Sequence, residues 1–132
     1  MSDEYVWVID DDQSIRWVLE KTLKQAGMQV SVFESADEAL DAIRTNAIAP
    51  DAVISDIRMP GSDGLSLLNQ MKKTHPDLPV LIMTAFSDLD STVSAFEAGA
   101  FEYIPKPFDV DTVIEQVRRA CNLQTEQRKQ SS

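Results

Sequence analysis

A single cysteine, Cys121, occurs among the 132 residues, and this excludes both an internal disulfide and a thiolate metal cage. Stability has to come from packing. Only four glycines and six prolines are present, too few for a fibrous repeat or a low-complexity chain. No apolar run approaches the roughly 20 residues needed to cross a bilayer, and the opening MSDEYVWVID carries two acids where a secretory signal would carry positive charge. A cytosolic protein without a membrane partner is expected. Positive charge is also scarce. Twelve Lys and Arg stand against 22 Asp and Glu, and the formal net charge of −10 repels a phosphate backbone. No direct grip on nucleic acid is expected, so any control of it would be indirect. What the chain does have is 43% hydrophobic residues, enough for one domain with a single core.

Two hydrophobic periods alternate along the chain. Tyr5 to Ile9 is apolar at nearly every position, as suits a strand covered on both faces. Ile15, Val18, Leu19, Leu23 and Ala26 then recur at helical spacing, with Arg16, Glu20 and Lys24 on the opposite face and Gly27 as the C′ residue. Val30 to Phe33 reads as a second strand. Ser35 with Glu38 forms a capping box before a helix through Ala39, Leu40 and Ile43. A third strand, Ala52 to Ser55, leads through DIRMPGSDG to a helix around Leu65, Leu68 and Met71, which Pro76 stops. Val80 to Thr84 is the fourth strand. Ser87 can cap a short helix ending at Ala98 and Gly99, anchored by Leu89, Val93 and Phe96. Phe101 to Ile104 is the fifth strand, and Asp109 caps a last helix whose apolar face carries Val110, Val113, Ile114 and Val117.

Five strands alternating with five helices define an α/β fold, a doubly wound parallel sheet with helices on both sides. Ser31 and Glu102 interrupt the second and fifth strands and mark them as edges, which fits the flavodoxin-like order 2-1-3-4-5. Residues 1–123 are expected to form this domain. The polar tail 124–132, QTEQRKQSS, has no apolar stripe and reads as the start of a linker to further domains.

In such sheets ligands bind beyond the carboxyl ends of the strands, where the strand order reverses. The first strand runs into Asp10, Asp11 and Asp12, the third into Asp56, the fourth into Thr84, and the fifth into Lys106 across one proline. Four carboxylates therefore converge on one crevice. Two of them about 4 Å apart repel by roughly 4 kcal/mol at an effective dielectric of about 20, and a divalent cation relieves that repulsion. Oxygen ligands without nearby His or Cys favour Mg²⁺ or Mn²⁺ over zinc. Metal, nucleophile and cation together suit phosphoryl transfer. Asp56, the lone acid at its strand end, is the candidate nucleophile forming an acyl phosphate. Asp10, Asp11 and Asp12 would hold the metal, while Lys106 and Thr84 meet the phosphoryl group.

These residues carry a family resemblance. The acidic cluster in WVIDDDQSIRW, the SDIRMPGSDG around Asp56, the LIMTA ending at Thr84 and Ala85, and the EYIPKPFD holding Tyr103 and Lys106 resemble the receiver domains of two-component response regulators over about residues 5–122. IRWVLE, SDIRMPG and VSAFEAGAFEYIPKPFD further resemble the nitrogen-regulatory, sigma-54-dependent members, although Phe86 stands where the enteric ones carry histidine. The resemblance implies a phosphoacceptor regulatory domain, not an enzyme in its own right. Asp56 would be phosphorylated by a sensor histidine kinase. Asp11, Asp56 and the Arg58 backbone carbonyl would ligate Mg²⁺, with Asp10 acting through water and Asp12 as an alternative ligand if the register of the three acids shifts. Lys106 would pair with Asp56 and then with the phosphate. Thr84 and Tyr103 would be switch residues, and the Lys106–Pro107 peptide would be cis. The partners so implied are the kinase and downstream ATPase and DNA-binding domains. Whether phosphorylation also produces a dimer is left open.

Plainer readings compete residue by residue. Asp12 could be a helix cap, Lys106 a surface charge and Thr84 a strand end; their joint occurrence is what points to a site. Cys121 reads as a packed small hydrophobe, His75 as a helix-ending cap group, and the methionines as core filler. Tyr103 shares a strand face with Phe101, so core packing competes with the switch role. The alternative function is a Mg²⁺-dependent phosphatase of the haloacid dehalogenase kind, with Asp109 and Asp111 as its last acids. Asp109 follows Lys106 by only three residues, without an intervening strand, and this does not suit that chemistry.

Overall fold

A computed structural model describes residues 4–45, 49–58, 64–85 and 89–131, with side chains described except at 85, 89–92 and 123–131. Strands and helices alternate as β1 (Tyr5–Ile9), α1 (Gln13–Gln25), β2 (Gln29–Phe33), α2 (Ala36–Thr45), β3 (Ala52–Asp56), α3 (Gly64–Thr74), β4 (Val80–Ala85), α4 (Leu89–Glu97), β5 (Glu102–Lys106) and α5 (Val110–Ser131). The sheet has the order β2-β1-β3-β4-β5, and every pairing is parallel. The expected architecture is the observed one.

Period-two alternation divides the strand side chains between two cores. Trp7, Ile9, Val53, Val80 and Ile82 face α2 and α3, together with Ala95 of α4. Val6, Val8, Ile54, Leu81, Met83 and Ile104 face α1 and α5. Both faces of β1, β3 and β4 are thus covered, which is why these strands read as continuous apolar runs. The edge strands β2 and β5 are only partly buried, as Ser31 and Glu102 suggested.

Local chemistry accounts for most of the boundaries. Asp12 caps α1, its carboxylate accepting from the N–H groups of Ser14 at 2.8 Å and Ile15 at 3.4 Å. Ser35 accepts from the Glu38 N–H at 3.2 Å, while the Glu38 carboxylate reaches back to the Glu34 N–H at 3.1 Å. Gly27 and Gly99 end their helices with φ of 91° and 105°, a region an L side chain rarely enters. Asp109 accepts from the Asp111 N–H at 3.3 Å and so begins α5. Ser87, the expected cap of α4, lies outside the described residues, as does Phe86.

Several expectations need correction. β5 starts one residue later than expected and continues through Pro105 to Lys106; at an edge the missing proline N–H costs no ladder bond. Phe101 therefore precedes the strand and packs on the α1/α5 side, so it does not share a face with Tyr103. The polar tail is helical, with α5 running to Ser131. Its Gln, Glu, Arg and Lys are good helix formers, and no Gly or Pro interrupts them. Arg16, expected on the solvent face of α1, has a side chain only 16% exposed. In α4, Val93 and Phe96 are 50% and 41% exposed, and the buried contact is made by Ala95. Leu89 has no described side chain. Among the described side chains of α4, two of the expected anchors thus bury less apolar surface than the sequence suggested.

Cys121 is buried among the α5 contacts, and burial, with Asp51 and Glu4 adding repulsion, pushes its thiol up to about 12. It is inert packing. Met28, Met71 and Met83 are buried as core filler. The His75 ring lies 2.9 Å from the Thr74 hydroxyl in the turn after α3. No helix among the described residues is long and apolar enough to cross a membrane.

Candidate functional site

The strand pleat aims three charged groups to one side. Asp10 continues the parity of Val8 in β1, Asp56 that of Ile54 in β3, and Lys106 that of Ile104 in β5; all three apolar residues face the α1/α5 core. Their side chains consequently converge where β1 and β3 end. The Lys106 Nζ lies 3.1 Å from Asp56 Oδ2 and 3.5 Å from Asp10 Oδ2. One oxygen each from Asp10, Asp11 and Asp56 fall within 4.8 Å of one another. Asp10 is fully buried, Asp56 nearly so at 8% exposure, and Asp11 faces solvent.

Burial dominates the electrostatics. Removal from water raises the Asp10 carboxyl from 3.8 to about 6; the Asp12 N–H opposes this, Asp56 adds repulsion, and Lys106 offsets part of it. At Lys106 burial pulls the ammonium downward, but the facing Asp10 and Asp56 carboxylates outweigh it and the net shift is upward. Lys106 stays charged and leaves the crevice with an excess of negative charge.

That charge and the donor set fit a hard divalent cation. Octahedral Mg²⁺ with bonds of about 2.1 Å holds its oxygens about 3.0 Å apart when adjacent and about 4.2 Å when opposite. Three carboxylate oxygens already within 4.8 Å of one another would draw in to meet that spacing around a bound ion. Asp12, kept in the sequence reading as an alternative ligand, instead has its carboxylate on the α1 amides and is not in the cluster. The Arg58 N–H is 3.4 Å from Asp56 Oδ1, so the chain turns back over the acid and keeps the Arg58 backbone near it.

The other expected residues fall on the opposite face. Thr84 is buried at the end of β4, one residue past the register partner of Asp56, and continues the parity of Ile82, which faces α3. Tyr103 is 41% exposed and meets the Phe96 ring of α4 edge-on at 5.7 Å. The Lys106–Pro107 peptide is cis, as the resemblance implied. Asp109 and Asp111 stand at the start of α5, outside the carboxylate cluster. They do not supply the last acids of a phosphatase.

Two residues around the crevice escaped the sequence reading. A Cβ on Gly64 would lie 2.4 Å from the Asp56 carbonyl oxygen and 2.8 Å from the Ile57 Cα. The first turn of α3 therefore rests directly on the backbone that carries Asp56, and only glycine permits the approach. A glycine in a loop that enters a helix, as in SDG, was the available signal. The second residue is Arg16, which reaches back to the Asp10 carbonyl at 2.7 Å; helical periodicity places a residue on a face but does not foresee a long side chain folding onto a loop.

A doubly wound sheet with buried acids at the ends of β1 and β3 and a lysine at the end of β5 defines a class of protein. Residues 6–118 match the response regulator receiver domain, and the chain belongs to that family. Among curated relatives it is 56% identical over 123 residues to the DNA-binding transcriptional regulator NtrC of Klebsiella pneumoniae, a match that covers 93% of this chain and 26% of that protein. The chain thus spans about a quarter of that relative's length. Among solved structures, the receiver domain of nitrogen regulatory protein C superposes with a TM-score of 0.82 at 55% identity, covering 92% of this chain and 97% of that one. NtrX from Brucella abortus superposes with a TM-score of 0.90 at 35% identity, covering 98% of this chain and 30% of that one.

Proposed function

We propose that this receiver domain accepts a phosphoryl group on Asp56 from a sensor histidine kinase. The observation that carries the reading is the Lys106 ammonium within 3.5 Å of both Asp10 and Asp56, in a crevice that Asp11 also enters. The Asp56 carboxylate attacks phosphorus, an O–P bond forms, the N–P bond to the kinase imidazole breaks, and the imidazole leaves with the bonding pair. Lys106 then meets the phosphoryl oxygens, and Thr84, on the opposite face at the neighbouring strand end, turns its hydroxyl toward them. Asp10, Asp11, Asp56 and the Arg58 carbonyl would hold Mg²⁺ or Mn²⁺, which supplies charge neutralisation for the phosphoryl oxygens.

Acetyl phosphate with Mg²⁺ tests the reaction class. A single stable, hydroxylamine-labile adduct is expected. Steady phosphate release from many phosphoesters would instead indicate the phosphatase alternative, which the position of Asp109 already disfavours.

The phosphoryl group adds about −1.5 to −2 charge, and a full population switch requires roughly 5.5 kcal/mol of differential stabilisation. A few charge-assisted hydrogen bonds of about 1.5 to 3 kcal/mol each supply that. α4 is the element to respond, because its described apolar contacts are few and Thr84 and Tyr103 both lie on its side of the sheet. NMR relaxation dispersion is expected to show exchange in residues 89–104; exchange confined to other segments would refute the placement.

The name of the Klebsiella relative supports a role in transcription control. In that reading the present chain passes its state to downstream ATPase and DNA-binding domains of a sigma-54-dependent activator in nitrogen regulation. The net charge of −10 suits a module that leaves DNA contact to another segment.

A further inference from the structure

Arg16 holds both ends of the acidic loop. Its backbone N–H donates to the Asp12 carbonyl at 3.1 Å, the first main-chain bond of α1 that any residue here would make, while the side-chain Nη1 donates to the Asp10 carbonyl at 2.7 Å. Asp11, the solvent-facing member of the carboxylate cluster, lies between these two bonds. Other contacts leave that stretch incompletely fixed. The Asp10 N–H is bound to the Phe33 carbonyl at 3.1 Å, and Asp10 Oδ1 accepts from the Asp12 N–H at 2.9 Å, but the Asp10–Asp11 peptide plane is held through its carbonyl by Arg16. That plane sets the direction of the Asp11 side chain. Arginine suits the task because its fork presents several donors at fixed angles. Nη2 lies 3.8 Å from Glu34 Oε2, which ties the acidic loop to the β2–α2 connection.

We propose that Arg16 is a positioning residue for the acidic crevice, clamping the Asp10–Asp12 loop so that Asp11 and Asp10 face a divalent cation together with Asp56. The inference rests on the reading of that crevice as a Mg²⁺ site. Geometry and charge predict opposite signs for removing Arg16. As a nearby positive charge alone, the guanidinium would repel a cation, and its loss would tighten binding. As a clamp, it orders the ligands, and its loss weakens binding.

The test is a Mg²⁺ titration of the 132-residue chain, followed through the backbone amide shifts of residues 10–12 and by calorimetry. Arg16→Met keeps the apolar stem and removes donors and charge; about a tenfold weaker Mg²⁺ affinity is expected, the low end for losing a partner that orients metal ligands. Arg16→Lys, which keeps one donor and the charge, is expected to recover most of that loss. Glu34→Gln leaves both loop bonds in place and is expected to bind as the wild type does. Thermal melting in chelator checks that each variant is folded. Affinity equal to or tighter than wild type in Arg16→Met would overturn the proposal, as would an Arg16→Lys variant that is folded yet no better than Arg16→Met. A wild-type chain that binds neither Mg²⁺ nor Mn²⁺ would overturn this inference and the metal-dependent reading together, whereas a normal wild type with an unaffected Arg16→Met overturns this inference alone.

Discussion

Asp56→Asn is expected to abolish phosphoryl incorporation altogether. Asparagine is nearly isosteric with aspartate, and its carbonyl oxygen can still receive the Arg58 N–H that Asp56 Oδ1 meets at 3.4 Å. The amide lacks the anionic oxygen that attacks phosphorus, so nucleophilicity is lost while the shape remains. It also removes one of two negative partners from Lys106, leaving Asp10 at 3.5 Å as the other. Folding should therefore be preserved. Radiolabelled acetyl phosphate with Mg²⁺, followed by denaturing electrophoresis, is the measurement. A phosphoprotein yield equal to wild type would refute Asp56 as the acceptor and direct attention to another acid in the crevice.

The second large effect concerns acidity, because Asp10 is buried with its carboxyl raised to about 6. In the cation-free chain the folded state takes up this proton near pH 6, and the unfolded state only near its ordinary value of 3.8. Between those values the folded state binds more protons, so stability rises as pH falls. The gain is about 1 kcal/mol between pH 7 and pH 5, out of about 3 kcal/mol for the whole shift. Saturating Mg²⁺ removes this slope, because the folded and unfolded states then both carry an ionised Asp10 between pH 7 and pH 5. A bound cation holds Asp10 ionised, the proton becomes its competitor, and the stabilisation by Mg²⁺ fades as the pH passes below about 6. Urea unfolding at pH 7 and pH 5 is expected to show stability rising toward pH 5 in chelator and no such rise from Asp10 in saturating MgCl₂. Parallel trends would mean that Asp10 does not report on the cation.

Both effects arise from residues that were legible as a group before any coordinates. The acids after β1, the lone Asp56 after β3 and Lys106 after β5 could be placed at one edge of the sheet because strand ends are visible in the apolar pattern, and because parallel sheets collect ligands at that edge. Individual roles were less legible. Asp12 looked interchangeable with its neighbours, and its capping bonds to Ser14 and Ile15 removed it from the cluster. Tyr103 looked like a companion of Phe101 until the late start of β5 put the two on different sides.

The sequence by itself determined the alternation of elements, the two edge strands, most helix caps and the meeting of carboxylates with an ammonium. Each of these follows from local periodicity or from a residue's own hydrogen-bonding capacity, which act over a few positions. Only the tertiary structure decided which acid is buried and which is a cap, that Gly64 must admit the Asp56 backbone, that Ala95 is the buried residue among the described α4 side chains, and that Arg16 leaves its expected solvent face to grip the Asp10 carbonyl. Those outcomes depend on distances between segments far apart in the chain and on the direction a flexible side chain takes among them. Hydrophobic spacing carries no information about either.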